Sequence, residues 1–226
     1  MQPTDPIPPI PLAAIEDARA RIAGAATRTP LLPFDGAADS GPGTIWLKLE
    51  CLQPIGSFKI RGAANALALA PRDALEGGVY TASAGNMAQG VAFAARQLGV
   101  ACRVIVPDTA PRTKVEAIER LGGVAFPLPF DEWWQAIMEH GHPDESGFFV
   151  HPVSDPAVIA GNGTVALEIL EDLTDFDAVF VPYGGGGLSC GIASALAEKA
   201  AGVPVYAAEV ETSAPLRASL EAGRTV

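Results

Sequence analysis

The sequence predicts an α/β protein with two lobes, in which mostly parallel sheets are flanked by helices. Two observations support this class. Short β-branched or alternating apolar segments are repeatedly followed by stretches with helical spacing. Glycine-rich or small-residue loops stand between several of these strands and the helices after them. Repeated strand-then-helix units build parallel sheets with helices on both faces, and such sheets bind ligands where their strands lead into helices.

The first third of the chain combines two helical segments with extended ones. Apolar residues at helical spacing predict a helix over residues 11–26. The run at 28–31 is predicted to be extended, because a residue before proline avoids the helical region. Residues 44–50 alternate between apolar and polar side chains, as a strand does, whereas the alanine-rich residues 58–69 predict a helix that Pro71 ends.

From residue 78 onward, strands and helices alternate. Short β-branched and apolar runs predict the strands, and apolar residues recurring every three or four positions predict the helices. The predicted strands cover residues 78–82, 103–106, 124–128, 148–151, 178–181 and 205–210, and the predicted helices cover 86–98, 113–121, 130–140, 158–170 and 188–200. A polar stretch at 140–147 predicts the boundary of a small domain, residues 75–150, inserted into a large domain of residues 1–74 and 151–226.

Composition excludes several classes of partner. The net charge of −11 would repel nucleic acid and anionic membranes, so neither is predicted. No apolar run has the length of a membrane span, and the N-terminal residues lack the basic region of a signal peptide. Cys51, Cys102 and Cys190 form no CxxC pair and predict buried, reduced thiols. We therefore expect a cytoplasmic protein.

One lysine lies in a setting that can change its chemistry. Lys59 follows Phe58 and precedes Arg61 in a stretch flanked by glycines. Partial burial and a neighbouring cation both lower the pKa of a lysine, and the neutral amine is the nucleophile in Schiff-base chemistry. From this segment alone, a surface lysine at the start of a helix is the alternative interpretation.

A second loop, residues 81–90, follows a predicted strand and opens a helix. Its small residues let a ligand approach the backbone, and a helix N-terminus offers free N–H groups to an anion such as a carboxylate. Ser83 and Asn86 add a hydroxyl and an amide. For either residue alone, a simple helix cap is the alternative.

A third loop contains four consecutive glycines, Gly184 to Gly187, between a predicted strand and a helix. Such a loop can fold as a nest of N–H groups around a phosphate, and a flexible turn is the alternative. It lacks the lysine of a Walker loop and the spacing of a dinucleotide-binding loop. Together the three loops supply what pyridoxal phosphate requires: a lysine, a cup for the phosphate and a clamp for the substrate carboxylate.

The order of these motifs resembles the fold-type II pyridoxal-phosphate enzymes, specifically the serine/threonine dehydratase and serine racemase branch. The resemblance runs from about Ile15 to the C-terminus. The motifs that carry it lie at 29–31, 47–50, 56–63, 83–86, 159–164 and 184–188. It implies the fold of the tryptophan synthase β-subunit. Because relatives continue well beyond Val226, it also implies that a C-terminal part is missing.

The resemblance implies roles for individual residues. Lys59 would form the internal aldimine with the cofactor and act as the catalytic base, with Phe58 packed beside the cofactor. Asn86 would donate a hydrogen bond to the 3′-oxygen of the pyridine ring. The residues implied to hold the phosphate are Gly184, Gly185, Gly186, Gly187 and Leu188. The residues implied to bind the substrate are Ser57, Ser83, Ala84, Gly85, Asn86 and Met87.

The implied activity is a pyridoxal-phosphate-dependent lyase that dehydrates L-threonine- or L-serine-type hydroxy-amino acids to a 2-keto acid and ammonia, as a homodimer. Ala84 stands where the racemases carry a serine, which favours elimination over racemisation, and Met87 stands where histidine is usual. One alternative is an amino-acid racemase, or another ammonia-lyase or β-replacement enzyme of the same fold type. A further alternative is an inactive truncated fragment that acts only as a binding or interaction module.

No metal site is predicted. Glu209 aligns with one ligand of the divalent-cation site of some family members, but Pro215 stands where a second carboxylate is expected. His140, His142 and His151 have no cysteine or acidic residue at ligand spacing. They are predicted to lie in a surface turn.

Overall fold

The structure is a computed structural model that describes residues 7–34 and 43–225. In these residues the helices are α1 (Leu12–Ile22), α2 (Lys59–Leu69), α3 (Arg72–Glu76), α4 (Asn86–Leu98), α5 (Arg112–Arg120), α6 (Phe130–Met138), α7 (Pro156–Asp172), α8 (Gly187–Lys199) and α9 (Pro215–Ala222). The strands are β1 (Leu31–Pro33), β2 (Trp46–Lys48), β3 (Val79–Ala82), β4 (Cys102–Pro107), β5 (Gly123–Leu128), β6 (Phe148–Phe149), β7 (Val179–Pro182) and β8 (Val205–Ala208). Within this part of the chain, no helix is long and apolar enough to cross a membrane.

The largest sheet is parallel throughout and has the strand order β5-β4-β3-β6. Its central strand β3 pairs with β4 on one side, Val79 opposite Cys102, and with β6 on the other, Val79 opposite Phe148. Strands β7 and β8 form a second parallel pair, whereas β1 and β2 form an antiparallel hairpin. The predicted α/β class with parallel sheets and flanking helices is confirmed. Three short elements, α3, β1 and α9, were not predicted as such.

Helices α2, α7 and α8 cross backbone to backbone at glycines. A Cβ atom added to Gly161 in α7 would lie 2.4 Å from the carbonyl oxygen of Arg61 in α2. A Cβ atom added to Gly191 in α8 would lie 2.5 Å from the carbonyl oxygen of Ile159 in α7. No real side chain fits at such distances, so these helices approach as closely as they do only because both positions are glycine. Helix α7 therefore fixes the position of the start of α2 relative to the start of α8.

Two expectations about burial were wrong. Cys102 is buried, but Cys51 and Cys190 are exposed, although all three thiols are free as predicted. Cys51 lies in a short 3₁₀ turn at 50–52, and Cys190 lies on the exposed side of the first turn of α8. Both are therefore exposed, although their neighbours in sequence are apolar. His151 does not belong to a surface turn: only 6% of it is exposed, and its ring stacks on that of His140.

Candidate active site

Lys59 is the first residue of α2, and its amine is buried. The backbone N–H of Lys59 donates to Ser57 Oγ at 3.3 Å, and its side-chain nitrogen lies 5.5 Å from the centre of the Phe58 ring. That nitrogen donates to the carbonyl oxygen of Pro152 at 2.7 Å. Burial lowers the pKa of Lys59 from 10.5 to about 8. At pH 7 roughly one amine in ten is then neutral, and its lone pair is free because the hydrogen bond uses an N–H.

Arg61 does not lower the pKa of Lys59, contrary to expectation, because its charge is matched elsewhere. The guanidinium is buried, and its Nε and Nη1 lie 2.7 Å from carboxylate oxygens of Glu50 and Glu168 respectively. Lys48 lies 2.6 Å from the second oxygen of Glu168. Burial alone would raise the pKa of Glu50, but hydrogen bonds and charge from Arg61 hold it below its usual value. These ion pairs anchor Arg61, and with it the start of α2, to the 3₁₀ turn at 50–52 and to α7.

The loop between β3 and α4 brings a helix start next to Lys59. A Cβ atom added to Gly90, one turn into α4, would lie 3.2 Å from the carbonyl oxygen of Lys59. The first amides of an α-helix have no intrahelical acceptor, and Gly85, which precedes α4, has no side chain to cap them. Ser83 Oγ accepts a hydrogen bond from the N–H of Gly85 at 3.2 Å.

The remaining residues of this loop differ in what they can offer a ligand. Asn86 is exposed at the first position of α4, and Ala84 is half-buried without any polar atom in its side chain. Met87 is 2% exposed and belongs to the main hydrophobic core. Of Met87, therefore, only the backbone N–H can face a ligand at this helix start. The exposed side chain of Asn86, in contrast, can reach a ligand.

The four-glycine loop leads into α8. Gly186 precedes the helix with a φ of +86°, a conformation that side-chain-bearing residues rarely adopt, and Gly187 is its first residue. A Cβ atom added to Gly185 would lie 2.4 Å from Val153 Cγ1, and one added to Gly187 would lie 2.9 Å from the carbonyl oxygen of Val153. Gly184 and Gly185 are exposed, and Leu188 is half-buried in the first turn. The loop presents unblocked backbone at a helix N-terminus, which is how proteins bind phosphate.

Two groups at this site were missed by reasoning from the sequence. The first is the segment from His151 to Ser154, whose Pro152 carbonyl contacts the amine of Lys59 and whose Val153 contacts the glycine loop. A backbone carbonyl leaves no sequence signal. The second is Asn162 in α7: its Nδ2 donates to the carbonyl oxygen of Gly187 at 3.2 Å, whereas its buried Oδ1 has no partner within the described residues. Asn162 stood in a motif of the resemblance, but without a role.

The residues predicted from three separate loops thus belong to one region. The start of α2 contacts α4 at Gly90, and the segment after β6 contacts both Lys59 and the glycine loop. Two open surface cavities of about 460 and 410 Å³ lie elsewhere, beside Arg28 and beside Arg21. Among the residues that the structure describes, no three metal-binding side chains come together. The carboxylate of Glu209 instead accepts the N–H groups of Leu216 and Arg217 at the start of α9.

Comparison with known proteins adds an independent line of information. A family model described as pyridoxal-phosphate dependent enzyme matches residues 22–226. An L-threonine ammonia-lyase of Geobacter sulfurreducens is 40% identical over 219 residues, which make up 96% of this chain and 54% of that protein. A biosynthetic L-threonine dehydratase of Burkholderia multivorans is 42% identical over 212 residues, 92% of this chain and 42% of that protein. The chain thus spans about half the length of these curated relatives.

Solved structures share the fold. Maize serine racemase superposes with a TM-score of 0.90 at 31% identity, covering 97% of this chain and 67% of that one. The processed form of threonine deaminase isoform 2 from Solanum lycopersicum gives a TM-score of 0.86 at 33% identity, covering 100% of this chain and 65% of that one.

Proposed function

The chain belongs to the family of pyridoxal-phosphate-dependent enzymes, and on that premise we propose that it serves a lyase that dehydrates L-threonine- or L-serine-type hydroxy-amino acids to a 2-keto acid and ammonia. The observation that carries the proposal is the amine of Lys59, which is buried, has a pKa of about 8 and lies in the same region as two glycine-capped helix starts. The named activities of the threonine ammonia-lyase and dehydratase relatives support the reaction.

The residues of this region fit the cofactor of the family. The amine of Lys59 can lose a proton near neutral pH. The loop that leads into α8 exposes its backbone at Gly184 and Gly185. When bound, pyridoxal phosphate supplies a carbonyl for the lysine and a ring that accepts electrons from the substrate. The protein has to supply the anion sites and the base, and we assign both to residues of this region.

We assign the roles as follows. Lys59 holds and moves the α-proton of the substrate at its side-chain nitrogen, next to the ring of Phe58. The amides at the start of α8, from Gly184 to Leu188, bind the phosphate. The loop from Ser83 to Met87 binds the substrate carboxylate through backbone N–H groups, and the side chain of Asn86 is placed to orient the cofactor ring. Ser57 fixes the backbone of Lys59 through its hydroxyl.

Racemisation is the second candidate, because the fold is so close to that of maize serine racemase. A racemase needs an acid or base on each face of the substrate. Ala84 has no polar atom in its side chain, so the α4 loop supplies no such group at that position. We therefore favour elimination, and chiral analysis of the amino acid left after incomplete reaction separates the two.

We further propose the two-lobe division into residues 75–150 and the remainder, a homodimer and a cytoplasmic location. The lobe division is supported by the parallel sheet β5-β4-β3-β6, which lies within residues 79–149. Exposed apolar side chains on the β1–β2 hairpin, among them Phe34 and Trp46, support an interface between subunits. Light scattering measures the oligomeric state. The free thiols are compatible with a reducing compartment.

The test combines absorbance with product release. Purified protein with added pyridoxal phosphate should show the visible absorbance of a lysine-bound cofactor, and L-threonine should then yield a 2-keto acid. Lys59→Ala should abolish both signals. Lys199→Ala is the matched control, because Lys199 is exposed and paired with Glu16 far from the site. A protein without the absorbance band, or a Lys59→Ala protein that keeps it, would overturn the proposal.

A further inference from the structure

The side chain of His151 closes a short turn, residues 151–154, that contacts both Lys59 and the Gly184–Gly187 loop. Its ring nitrogen Nδ1 accepts the backbone N–H of Val153 at 3.1 Å and that of Ser154 at 2.8 Å. The hydroxyl of Ser154 also lies 2.8 Å from Nδ1. A ring nitrogen that accepts two backbone amides carries no proton of its own. The turn from His151 to Ser154 is thus closed by a side chain and not by a regular backbone turn.

The ring of His151 also contacts β6 and the segment that follows α6. A ring N–H of His151 also bonds to the backbone of Ile137. Because Nδ1 accepts two amides, the proton of the neutral ring belongs to Nε2, which lies 3.2 Å from the hydroxyl of Ser154 as well. The ring of His140 stacks on it at 4.2 Å between centroids, and that of Phe149 meets it edge-on at 6.0 Å. His151 therefore sits as a neutral imidazole, with one nitrogen used as an acceptor and the other as a donor.

This turn lies against both the amine of Lys59 and the Gly184–Gly187 loop. The carbonyl of Pro152, inside the turn, accepts the hydrogen bond from the amine of Lys59. Val153, the next residue, packs against Gly185 and Gly187. A change in the turn would therefore move the acceptor of the lysine and the support of the helix start together.

We propose that neutral His151 is a positioning residue: its Nδ1 holds the turn that orients the amine of Lys59 and supports the Gly184–Gly187 loop. The importance of His151 for catalysis rests on the proposed function, whereas the geometry of the turn does not. The charged or titratable groups facing His151 are His140 from the end of α6 and Lys59 from α2, and Asp155 follows on its own segment. A proton on His151 would remove the acceptor and place a positive charge beside Lys59.

The first test needs no cofactor. Long-range ¹H–¹⁵N spectra of the protein should show His151 as the Nε2–H tautomer with an unprotonated Nδ1. The pKa of His151 should be about 4, well below the usual 6.5, because burial and then the charge of His140 oppose its protonation. An Nδ1–H tautomer, or titration near 6.5, would overturn the proposal whatever the activity of the enzyme.

The second test separates hydrogen bonding from packing. His151→Phe keeps a ring against His140 but has no acceptor. His151→Asn loses the ring but keeps a side-chain oxygen that can accept an N–H two residues further on. Competitive acetylation of the protein over a range of pH, read by mass spectrometry on the peptide of Lys59, gives the pKa of its amine. We expect His151→Phe to raise that pKa by about one unit as the turn opens to water.

The conservative variant and a control complete the design. His151→Asn should leave the pKa of Lys59 close to its native value. His140→Phe should also do so, because it keeps the stacked ring and removes only the 3.4 Å contact between His140 Nε2 and the hydroxyl of Ser154, not the acceptor at Nδ1 of His151. An unchanged pKa in His151→Phe, or an equal shift in both His151 variants, would refute the role of Nδ1 and indicate packing alone. Because acetylation needs neither cofactor nor substrate, these outcomes are independent of whether the protein is a dehydratase.

Discussion

The side-chain nitrogen of Lys59 lies 2.7 Å from the carbonyl oxygen of Pro152, a residue 93 positions later in the chain. A carbonyl accepts a hydrogen bond but carries no negative charge, so it orients the amine without stabilising its ammonium form as a carboxylate would. The effect of burial on the pKa of Lys59 is therefore not offset. One backbone group thus does two things, because it fixes the direction of the amine and leaves it easy to deprotonate.

The first prediction concerns the free energy of unfolding without cofactor. Lys59→Met should stabilise the protein at pH 7 by about 1 to 3 kcal/mol, because it removes a buried charge that burial disfavours. The native amine has a pKa of about 8 and the unfolded one about 10.5. The unfolded state binds the extra proton between these values, so the penalty fades as pH rises through that window. Urea denaturation at pH 7 and pH 10 measures the difference, and a destabilised variant at pH 7 would contradict the account.

The second prediction concerns the buried ion cluster. Arg61→Met should cost about 3 to 5 kcal/mol, because it leaves the carboxylates of Glu50 and Glu168 without their main partner. Arg61→Lys should recover only part of the loss, since an ammonium cannot bridge two carboxylates as the planar guanidinium does. The matched control is Arg112→Ala in an exposed pair with Glu116, which should change stability by less than about 0.5 kcal/mol. Equal losses in the two positions would show that burial is irrelevant here.

The third prediction concerns the glycine crossings of α2, α7 and α8. Gly161→Ala and Gly191→Ala should each cost about 1 to 3 kcal/mol, because the added carbon would meet a backbone oxygen that cannot move aside. Gly24→Ala is the control, since a Cβ atom there meets nothing within 4 Å. Thermal unfolding ranks the three proteins. A Gly191→Ala protein as stable as Gly24→Ala would mean that the helices separate at little cost.

The fourth prediction concerns the acid limb of stability. Burial lowers the pKa of His151 from 6.5 to about 4, so the unfolded state binds one more proton than the native state between these values. The stability due to neutral His151 is fully present above pH 6.5 and is lost as pH falls toward 4. The free energy of unfolding, compared with that of His151→Asn, should fall by about 2 to 3 kcal/mol over this window. Parallel curves for the two proteins would contradict the prediction.

Local signals in the sequence predicted most of the fold and the family. Proline and glycine set the ends of the strands and helices, and the predicted start of the helix at Asn86 agrees with the structure. The resemblance built on ordered motifs is confirmed by the family match over residues 22–226. The roles of individual site residues and the domain boundaries remain predictions, since neither the fold nor the relatives test them.

What the sequence could not show are contacts made by backbone or by residues far apart. Arg61 was expected to act on Lys59 because the two are only two positions apart in the chain. The helix instead carries the guanidinium to Glu50 and Glu168, so proximity in sequence was misleading. His151 was placed in a surface turn with His140 and His142 because no metal-ligand partner stands near them in sequence, whereas in space His140, after α6, and Phe149 in β6 pack against its ring. Side-chain burial of this kind depends on the packing of several elements at once.

The position of β6 in the sheet has a consequence for the order of folding. Strand β3 pairs with β4, which follows it closely, but its other neighbour β6 comes only after β5 and α6 along the chain. The turn from His151 to Ser154 comes directly after β6, so Lys59 meets its acceptor, the carbonyl of Pro152, only once this strand has docked. Contacts between such distant segments form slowly. Until β6 and the turn after it have docked, Lys59 would be an ordinary solvated lysine, so the chemical reactivity of this amine depends on a contact between distant parts of the chain.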